Sequence, residues 1–388
     1  MVKIRNILKV ANIIEDGRIA GPQMRMTMIA SSLKTKINTK ILMPKKDSKE
    51  FQKICKKLKV SYFLLPLTNL NKNWIALINY ILLFPYEVVS LSRFFKKKQF
   101  DIIHLSGGSW QYKGLIAAKI ANIKVIWHIN DTHITLPLKL IFNLLSHLAN
   151  AFIFSADRAK QYYFNNVDLK KLNFIISPPV DIKKFDPSKK YKKDKELIKS
   201  WKKSIVIGTV CNLNKNKSLE TIIEAFSLIN KKYTDIRLVI VGPIYKNQKS
   251  YYKNLIKLTD KLNIKNIEFI GKREDTRSLL QRFDIFVMTS KYETGPMTLF
   301  EAMSMRKAII STDVADLKKF ISNGLNGFLI KVNDSKNLAK KINLLIKNTK
   351  LRKKIGTNAQ KTVRNNFNLN LSAKLHYKAY KLVYFGKK

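Results

Sequence analysis

The stretch SKYETGPMTLFEAM, residues 290–303, places two glutamates, Glu293 and Glu301, on either side of a Gly-Pro pair. The apolar segment DIFVM comes before it, and the apolar segment AIIS follows it. Proline suits the first turn of a helix, because its missing N–H would be unpaired there in any case. The stretch therefore predicts a strand, a loop, a helix over residues 296–305 and a second strand.

The alternation of strand and helix continues outward over most of the chain. In the first half, strands are expected at residues 7–13, 39–43, 102–105, 125–129, 152–154 and 174–176. A second series is expected at residues 205–210, 238–241, 267–270, 285–288, 308–311 and 327–330. Helix-length segments separate the strands, which is typical of doubly wound parallel sheets. The fold class is therefore α/β.

The length of 388 residues predicts two domains of similar size, because single hydrophobic cores rarely grow so large. The lysine-rich segment at residues 186–203 is typical of a linker or an exposed helix. We expect one Rossmann-like domain at residues 1–187, a second at 188–365, and a terminal helix at 366–388 that packs back toward the first domain. Since parallel sheets bind ligands beyond the carboxyl ends of their strands, two facing sheets would form a ligand-binding cleft between them.

The charge of the chain is extreme. Lysine and arginine number 74 against 26 aspartates and glutamates, which gives a formal net charge of +48. A nucleic-acid partner, an anionic membrane surface, or a solvated surface encoded by an AT-rich genome would each explain this excess. Cys55 and Cys211 lie far apart, so neither a disulfide framework nor a cysteine metal site is expected. The N-terminal stretch is unlike a signal peptide, and a reducing, cytoplasmic location fits both observations.

The most apolar stretch is WIALINYILLFPYEVV, residues 74–89. Asn79, Pro85 and Glu87 interrupt it, and it is shorter than a bilayer span requires. The basic segment SRFFKKKQF follows it. This combination predicts either an interfacial helix on anionic lipid or a helix packed against a sheet.

The helix expected at residues 296–305 offers a site for an anion. The backbone amides of Met297, Thr298 and Leu299 would lie at its N-terminus, where free N–H groups and the helix dipole attract phosphate. A carboxylate can accept hydrogen bonds from both hydroxyls of a vicinal diol, so Glu293 and Glu301 near a phosphate suggest a nucleotide ribose and a sugar. The alternative is that Glu301 faces solvent or pairs with a lysine, and that Glu293 only interacts with the helix dipole.

The surrounding motifs resemble the retaining glycosyltransferases of family 4. The two glutamates, the Gly-Pro pair and LFEAM followed by KAIISTDV resemble the signature of that family. SPPVDIKKFDP, IGTVCNLNKNKSLETIIEAF, LVIVGP and IEFIGKREDTRSLLQRFDIFVMTS follow one another in the family's order. The resemblance covers most of the chain and implies the GT-B fold, with two facing Rossmann-like domains and an inter-domain cleft.

The resemblance also implies residue roles in the second domain. Glu301 would hold the ribose hydroxyls of the donor, and Glu293 would lie beside the transferred sugar. The amides of residues 297–299 would hold the diphosphate, and Lys217 matches the family lysine that neutralises it. Asn212 stands where the family usually has an arginine, which removes a cation that would stabilise the leaving diphosphate.

Three basic residues could compensate for Asn212. These are Lys215, Lys272 and Arg273, the last two at the place where family members bind the nucleotide base. Further departures from the family pattern are Ala315 and Asp316 in place of a Gly-Gly pair, and Lys319 in place of a glutamate.

In the first domain, Gly21 lies in the loop that resembles the family's glycine-rich loop, and Gly21 permits close approach of a ligand to the backbone. A plain tight turn is the alternative. His128, near the end of the strand expected within VIWHINDTH and with Asp131 nearby, matches a family histidine that contacts the donor sugar. A histidine that only fills the interface would fit the same position.

The resemblance implies a retaining, metal-independent glycosyltransferase that needs no cofactor and acts in cell-surface polysaccharide or glycolipid synthesis. Its partners would be a nucleotide diphosphate sugar, a glycan or lipid-linked acceptor and an anionic membrane surface, with no nucleic acid. We expect it in the cytoplasm, peripheral on the inner face of the plasma membrane. A GT-B fold nucleotide-sugar epimerase and a nucleic-acid-binding basic protein are the alternatives. The base, sugar, acceptor and linkage do not follow from the sequence.

Overall fold

The structure is a computed structural model that describes residues 7–70, 74–132, 134–164, 171–191 and 194–386. The chain divides into two compact units. The first unit combines Met1–Pro179 with Leu369–Lys388, and the second unit is Val180–Asn368.

The elements alternate along the chain. The strands are β1 Leu8–Ile13, β2 Ile37–Pro44, β3 Tyr62–Leu65, β4 Ile102–Leu105, β5 Lys124–Ile129, β6 Ala151–Phe154, β7 Leu172–Ile175, β8 Ile205–Val210, β9 Ile236–Val241, β10 Ile267–Gly271, β11 Ile285–Met288, β12 Ala308–Thr312 and β13 Phe328–Ile330. The helices are α1 Gly21–Ser32, α2 Lys49–Lys57, α3 Trp74–Lys98, α4 Tyr112–Ile120, α5 Leu136–Ser146, α6 Asp157–Tyr163, α7 Lys195–Ser200, α8 Leu219–Asn230, α9 Lys249–Lys261, α10 Arg277–Arg282, α11 Met297–Ser304, α12 Ser335–Lys347, α13 Thr349–Asn366 and α14 Leu369–Phe385. Short 3-10 turns occur at Lys215–Lys217, Lys246–Gln248 and Leu317–Lys319.

The first unit contains a parallel sheet with the strand order β3-β2-β1-β4-β5-β6-β7 across its described residues. Its central strands are buried on both faces, which explains why their sequences are continuous apolar runs rather than alternating ones. The edge strand β3 was not predicted, because it is short and three of its four residues are only partly buried or exposed. The doubly wound α/β prediction is confirmed for this unit.

Helices cover both faces of the first sheet. On one face, α3, α4 and α5 share an apolar core with β4, β5 and β6 that includes Phe95, Leu115, Trp127 and Phe142. On the other face, Tyr380 and Val383 of α14 pack with β1. The helix α14 therefore completes the core of the first unit.

The second unit contains a parallel sheet with the strand order β10-β9-β8-β11-β12-β13 across the residues that the structure describes there. One face packs against α8, α9 and α12, with Phe226 and Leu338 in the core. The other packs against α10, α11 and α13, with Phe283 and Phe300 in the core. Both central strands, β8 and β11, end at the loops that carry Lys217 and Glu293.

The boundary between the units differs from the predicted one at residue 187. Val180 is bridged to Asn368 and donates its N–H to the Phe367 carbonyl at 2.7 Å, so the second unit begins there. The lysine-rich segment at 186–203 is not a plain linker, because it contains α7 and the fully buried Trp201. The polar composition of the segment did not indicate that Trp201 is buried.

The apolar stretch at residues 74–89 is part of a longer helix than predicted. α3 runs from Trp74 to Lys98, contains Pro85 within it, and is long and apolar enough to cross a bilayer by length and composition alone. The prediction that the stretch is too short to span was therefore wrong as a length argument. Only 28% of its most apolar window is buried.

Candidate functional site

In the second unit, hydrogen bonds of Asn216 link two loops at the carboxyl edge of the sheet. The amide group of Asn216, in the loop after β8, donates to the Tyr292 carbonyl at 3.0 Å and accepts from the Tyr292 N–H at 3.1 Å. The Lys291 N–H donates to the Asn216 carbonyl at 2.7 Å. Thr289 donates its hydroxyl to the Lys217 carbonyl at 2.8 Å. The loops after β8 and β11 therefore form one rigid substructure.

These loops bring Lys217 and Glu293 into contact. The Lys217 ammonium nitrogen lies 2.5 Å from a Glu293 carboxylate oxygen, and the two side chains are 22% and 14% exposed. Burial, the largest influence, acts to lower the pKa of Lys217. The charge of Glu293, the hydrogen bond to it and Cys211 together outweigh burial, so the net pKa is raised. The ammonium is therefore kept charged at neutral pH and remains partly accessible.

The helix that follows Glu293 begins one residue later than predicted. α11 starts at Met297 with Pro296 as its N-cap. The Leu299 N–H donates to the Pro296 carbonyl at 3.1 Å, and so does the Phe300 N–H at 3.2 Å. The Leu299 amide therefore has an acceptor within the protein, and its predicted contact with an anion stays a prediction. Among the described residues, the N–H groups of Met297 and Thr298 have no acceptor, so two amides are available at this helix end.

Glu301 lies in the second turn of α11 with an unusual carboxyl group. Its side chain is partly exposed, and within the described ranges its carboxylate has no hydrogen bond or ion pair. Burial raises the pKa of Glu301 to about 7, with Lys184 acting to lower it and Asp275 to raise it. A carboxyl held by no protein group can accept hydrogen bonds from ligand hydroxyls.

The cations expected to replace an arginine at Asn212 differ in their availability. Asn212 is exposed at the end of β8, and Lys215 and Lys272 are exposed on loops. Arg273 is already engaged, because its guanidinium pairs with Asp194 at 3.1 Å and donates to the Ile270 carbonyl at 2.5 Å. Arg273 is therefore not a free substitute for the missing arginine.

In the first unit, Gly21 is the exposed first residue of α1. The preceding loop is held by Gln23, whose amide group donates to the Asp16 carbonyl at 2.9 Å and accepts from the Ala20 N–H at 3.1 Å. Gly21 itself does not adopt a positive φ. Its predicted contact with a ligand stays a prediction.

His128 lies inside β5, within the strand predicted at residues 125–129, and it is 0% exposed, whereas the family histidine that it matches lies in a loop. Its ring stacks on His104 with a centroid distance of 5.3 Å, and the two rings share a hydrogen bond of 3.2 Å. His104 also bonds the Tyr380 hydroxyl at 2.8 Å. Burial, reinforced by the positive charge of Arg25, holds the pKa of His128 well below its usual range. His128 is thus a neutral core residue, and the alternative of a filling histidine describes it better.

Asp131, near His128 in sequence, is also held by the protein. Its carboxylate accepts the Ser109 N–H at 2.9 Å and the Tyr163 hydroxyl. Burial raises the pKa of Asp131 to about 7. It braces the loops after β4 and β5.

The sequence analysis missed Asn216, Lys184 and Asp275. Asn216 was detectable as the neighbour of Lys217 in the loop NLNKNKS, but nothing in the sequence gives its partner Tyr292. Lys184 and Asp275 influence the Glu301 carboxyl from distant segments of the second unit. Such contacts arise only from the packed fold.

Residues 190–362 match the family model described as glycosyl transferases group 1. The matched residues all lie within the second unit, Val180–Asn368. Lys217, Glu293, Glu301 and the start of α11 all lie within the matched residues. The narrower assignment to glycosyltransferase family 4 is not decided by this match.

Two curated relatives act on lipid-linked sugars according to their names. The chain is 29% identical over 226 residues to the N,N'-diacetylbacillosaminyl-diphospho-undecaprenol alpha-1,3-N-acetylgalactosaminyltransferase of Campylobacter jejuni. The aligned residues cover 56% of this chain and 57% of that enzyme. It is 26% identical to the UDP-Gal:alpha-D-GlcNAc-diphosphoundecaprenol alpha-1,3-galactosyltransferase of Escherichia coli, over 73% of this chain and 76% of that one. A third, the capsular polysaccharide biosynthesis glycosyltransferase CapM of Staphylococcus aureus, is matched over 50% of its length. The chain thus spans about half the length of several of these relatives.

Solved glycosyltransferase structures share the fold. Anabaena HepE in complex with UDP and glucose superposes with a TM-score of 0.81 at 18% identity, covering 96% of this chain and 99% of that one. A glycosyltransferase from Rickettsia africae gives a TM-score of 0.83 at 20% identity, covering 98% and 100%. The GT-B fold prediction is confirmed.

Proposed function

We propose that the protein is a retaining glycosyltransferase of family 4 that moves a sugar from a nucleotide diphosphate sugar to an acceptor hydroxyl. The observation that carries the proposal is the contact between Lys217 and Glu293 beside the start of α11, inside the segment that matches the group 1 family. The relatives are named glycosyltransferases, which favours sugar transfer over the epimerase and nucleic-acid-binding alternatives.

The donor diphosphate fits the positive end of this site. The Lys217 ammonium and the amides of Met297 and Thr298 would bind its oxygens, because preorganised donors stabilise the charge that develops on a leaving diphosphate. Glu301 would accept hydrogen bonds from the ribose hydroxyls, and Glu293 would contact the transferred sugar. Binding of the diphosphate to Lys217 would break its ion pair with Glu293. The Glu293 carboxylate could then accept hydrogen bonds from the sugar hydroxyls.

In the proposed reaction, the bond between the anomeric carbon and the diphosphate oxygen breaks while the acceptor oxygen attacks from the same face. Because the attack comes from the same face, the sugar keeps its configuration. The acceptor proton passes to the departing diphosphate, so no protein base is needed. We propose that Lys217 supplies the positive charge in place of a metal ion. His128 has no part in this proposal, because its ring is enclosed in the core.

The names of two relatives support a proposal for the acceptor and for the location. Both carry undecaprenol-diphospho-linked sugars in their names, so we propose a lipid-linked saccharide acceptor in cell-surface polysaccharide or glycolipid synthesis. Such an enzyme would act in the cytoplasm at the inner face of the membrane. A UDP-sugar is the first donor to test, because UDP occurs in the name of the Escherichia coli relative and in the HepE complex.

Isothermal titration calorimetry with UDP and a panel of UDP-sugars tests the site directly. We expect Lys217→Ala to weaken UDP binding by about tenfold or more, since it removes a charge-assisted hydrogen bond. Glu301→Gln should weaken UDP binding less, and EDTA should change neither binding nor sugar transfer. Lys231→Ala is the control, because Lys231 is exposed at the C-terminal end of α8 and not on the loops that carry Lys217 and Glu293. Equal UDP affinity in wild type and both site variants, or no heat with any nucleotide or nucleotide sugar, would refute the proposal.

A further inference from the structure

We propose that the exposed apolar faces of α3 and α5 form one surface that docks the protein on an anionic lipid bilayer. We call this surface the docking face. It is made of large apolar side chains that are each between 40% and 71% exposed. They are Trp74, Ile75, Leu77, Ile78, Ile81, Leu82, Leu83, Tyr86 and Val89 of α3, with Leu136, Leu140, Ile141 and Leu144 of α5.

The exposure of these side chains is far greater than packing on a sheet requires. On α3, Trp74 is 69% exposed, Leu82 71% and Tyr86 68%. On α5, Leu136 and Leu144 are each 69% exposed, and Phe142 is the residue of that helix that is buried. Large apolar side chains exposed in this number on two helices that share one core indicate an interaction site rather than ordinary solvent-exposed surface. Trp74 and Tyr86 are residue types enriched at membrane–water interfaces.

The two helices belong to one layer of the first unit. Both share an apolar core with α4 on the same face of the sheet. Lys113 of α4 pairs with Glu87 of α3 at 2.5 Å, and the Tyr112 hydroxyl of α4 donates to the Leu138 carbonyl of α5 at 3.1 Å. A single flat partner can therefore reach both helices.

The helix α3 lies along a bilayer in this proposal and does not cross it. Its inner face is fixed to the first unit through Tyr80, Val88, Leu91 and Phe95, all buried. Glu87 is 3% exposed, and its ion pair to Lys113 would have to break if the helix left the unit for a lipid interior. A helix with one packed face and one apolar exposed face is suited to the interface between headgroups and acyl chains.

The charge around the docking face favours anionic lipid over another apolar protein surface. Glu87 is the one acidic residue of α3, and it is buried. Exposed cations follow at the end of the helix, at Arg93 and Lys96–Lys98. Lys46 and Asp47, on the loop after β2, are both exposed and line one pocket with Ala76 and Asn79 of α3, so the net attraction comes from the cations at the end of α3. Each cation near an anionic surface adds to the attraction.

The docking face would bring the proposed active site to a lipid-linked acceptor, and in this respect it rests on the proposed function. The lipid contact itself does not depend on catalysis. The two can therefore fail separately, because vesicle binding is measured without substrate and sugar transfer can be measured with a water-soluble acceptor.

The test is sedimentation of the full chain with phosphatidylcholine vesicles and with vesicles that also contain phosphatidylglycerol. We expect wild type to bind the anionic vesicles, with affinity that falls as salt rises. Leu82→Glu on α3 and Leu140→Glu on α5 should each lower the affinity by about tenfold or more, because each removes apolar contact and adds a charge of the wrong sign. Leu228→Glu is the matched control, since Leu228 is 56% exposed on α8 of the second unit and should leave binding unchanged.

Four results would overturn the proposal. Wild-type affinity in both Leu82→Glu and Leu140→Glu would show that the face is not used. Equal lack of binding to both vesicle types would exclude a bilayer partner. Light scattering that finds a dimer of wild type which Leu82→Glu dissociates would assign the face to a second copy of the chain. Resistance of bound protein to carbonate extraction would contradict a helix that lies on the bilayer. Thermal unfolding of each variant confirms that it is folded.

Discussion

Ala315 shows how a single residue carries backbone strain near the proposed site. It follows β12 with φ of +52°, a left-handed conformation that disfavours residues with a Cβ. The sequence analysis noted that related proteins have glycine here. The structure supplies the physical reason for that preference, and also shows that this chain tolerates alanine at some energetic cost.

Ala315→Gly is therefore expected to stabilise the protein, by roughly 1 kcal/mol, because it relieves the left-handed strain. Ala339→Gly is the matched control, since Ala339 lies inside α12, where glycine should destabilise by about 1 kcal/mol. Urea unfolding monitored by circular dichroism measures both changes. A loss of stability in Ala315→Gly would contradict the strain interpretation.

His376 makes the stability of the first unit depend on pH. Burial lowers its pKa to about 4 despite a hydrogen bond to the Ser372 carbonyl. The unfolded histidine binds a proton below about 6.5 and the folded one does not, so its contribution to stability is lost as pH falls from about 6.5 to 4. Glu15, Asp131 and Glu301 have raised pKa values near 7 and act with the opposite sign, so a direct pH profile of wild type would mix the two effects.

The contribution of His376 is isolated by comparison with His376→Leu. The free energy of unfolding of wild type relative to this variant should fall by about 1.4 kcal/mol per pH unit between about 6.5 and 4. His147→Leu replaces an exposed histidine and should show no such slope. Urea titrations at several pH values measure it, and a flat difference for His376→Leu would mean that the ring takes up its proton over the same pH range in the folded and unfolded states.

At the scale of elements, a buried ion pair joins two helices. Lys113 of α4 is 0% exposed, pairs with Glu87 of α3 at 2.5 Å, and donates to the carbonyl and hydroxyl of Thr68, each at 2.7 Å. Its ammonium also lies 3.8 Å from the ring centroid of Tyr80. All the polar capacity of Lys113 is satisfied, so this cluster fixes the position of α3 on the unit.

Lys113→Met should destabilise the protein by about 3 kcal/mol, because it leaves Glu87 buried without its counter-charge. Lys119→Met, an exposed position on the same helix, should change stability by less than about 0.5 kcal/mol. Equilibrium unfolding in urea compares the two. Equal effects would show that the pair does not anchor α3.

Elements were predicted well where burial dictates the sequence and poorly where it does not. β4, β8 and β11 have the predicted bounds, because strands buried on both faces are continuous apolar runs. β3 was missed as a half-exposed edge strand. At the site, the sequence paired Lys217 with Glu293 only through a shared ligand, whereas the structure shows direct contact. It could not reveal that His128 points into a core, since strand-end and loop positions look alike in sequence.

At the scale of the whole molecule, α14 makes the first unit discontinuous in sequence. Its residues Ala379, Tyr380 and Val383 are buried in the core that includes β1, β4 and β5. Deleting residues 369–388 should therefore speed hydrogen exchange in those three strands and leave β8, β9 and β11 protected, because the second unit keeps its own core.

Hydrogen exchange read by mass spectrometry resolves the two units in one experiment. Leu375→Ala, at a position of α14 that is 36% exposed, is the control and should leave exchange unchanged in both. Equal loss of protection in both units would mean that they unfold as one. Protection retained everywhere would mean that α14 adds little to the first core.

The interrupted first unit also bears on how the protein is made. Residues emerge from the ribosome in order, so the second unit is complete while α14 is still unsynthesised. We expect the usual order of co-translational folding, in which the N-terminal domain matures first, to be reversed here. Until α14 is synthesised, part of one apolar face of the first sheet would stay uncovered, which would make the nascent chain a suitable client for chaperones.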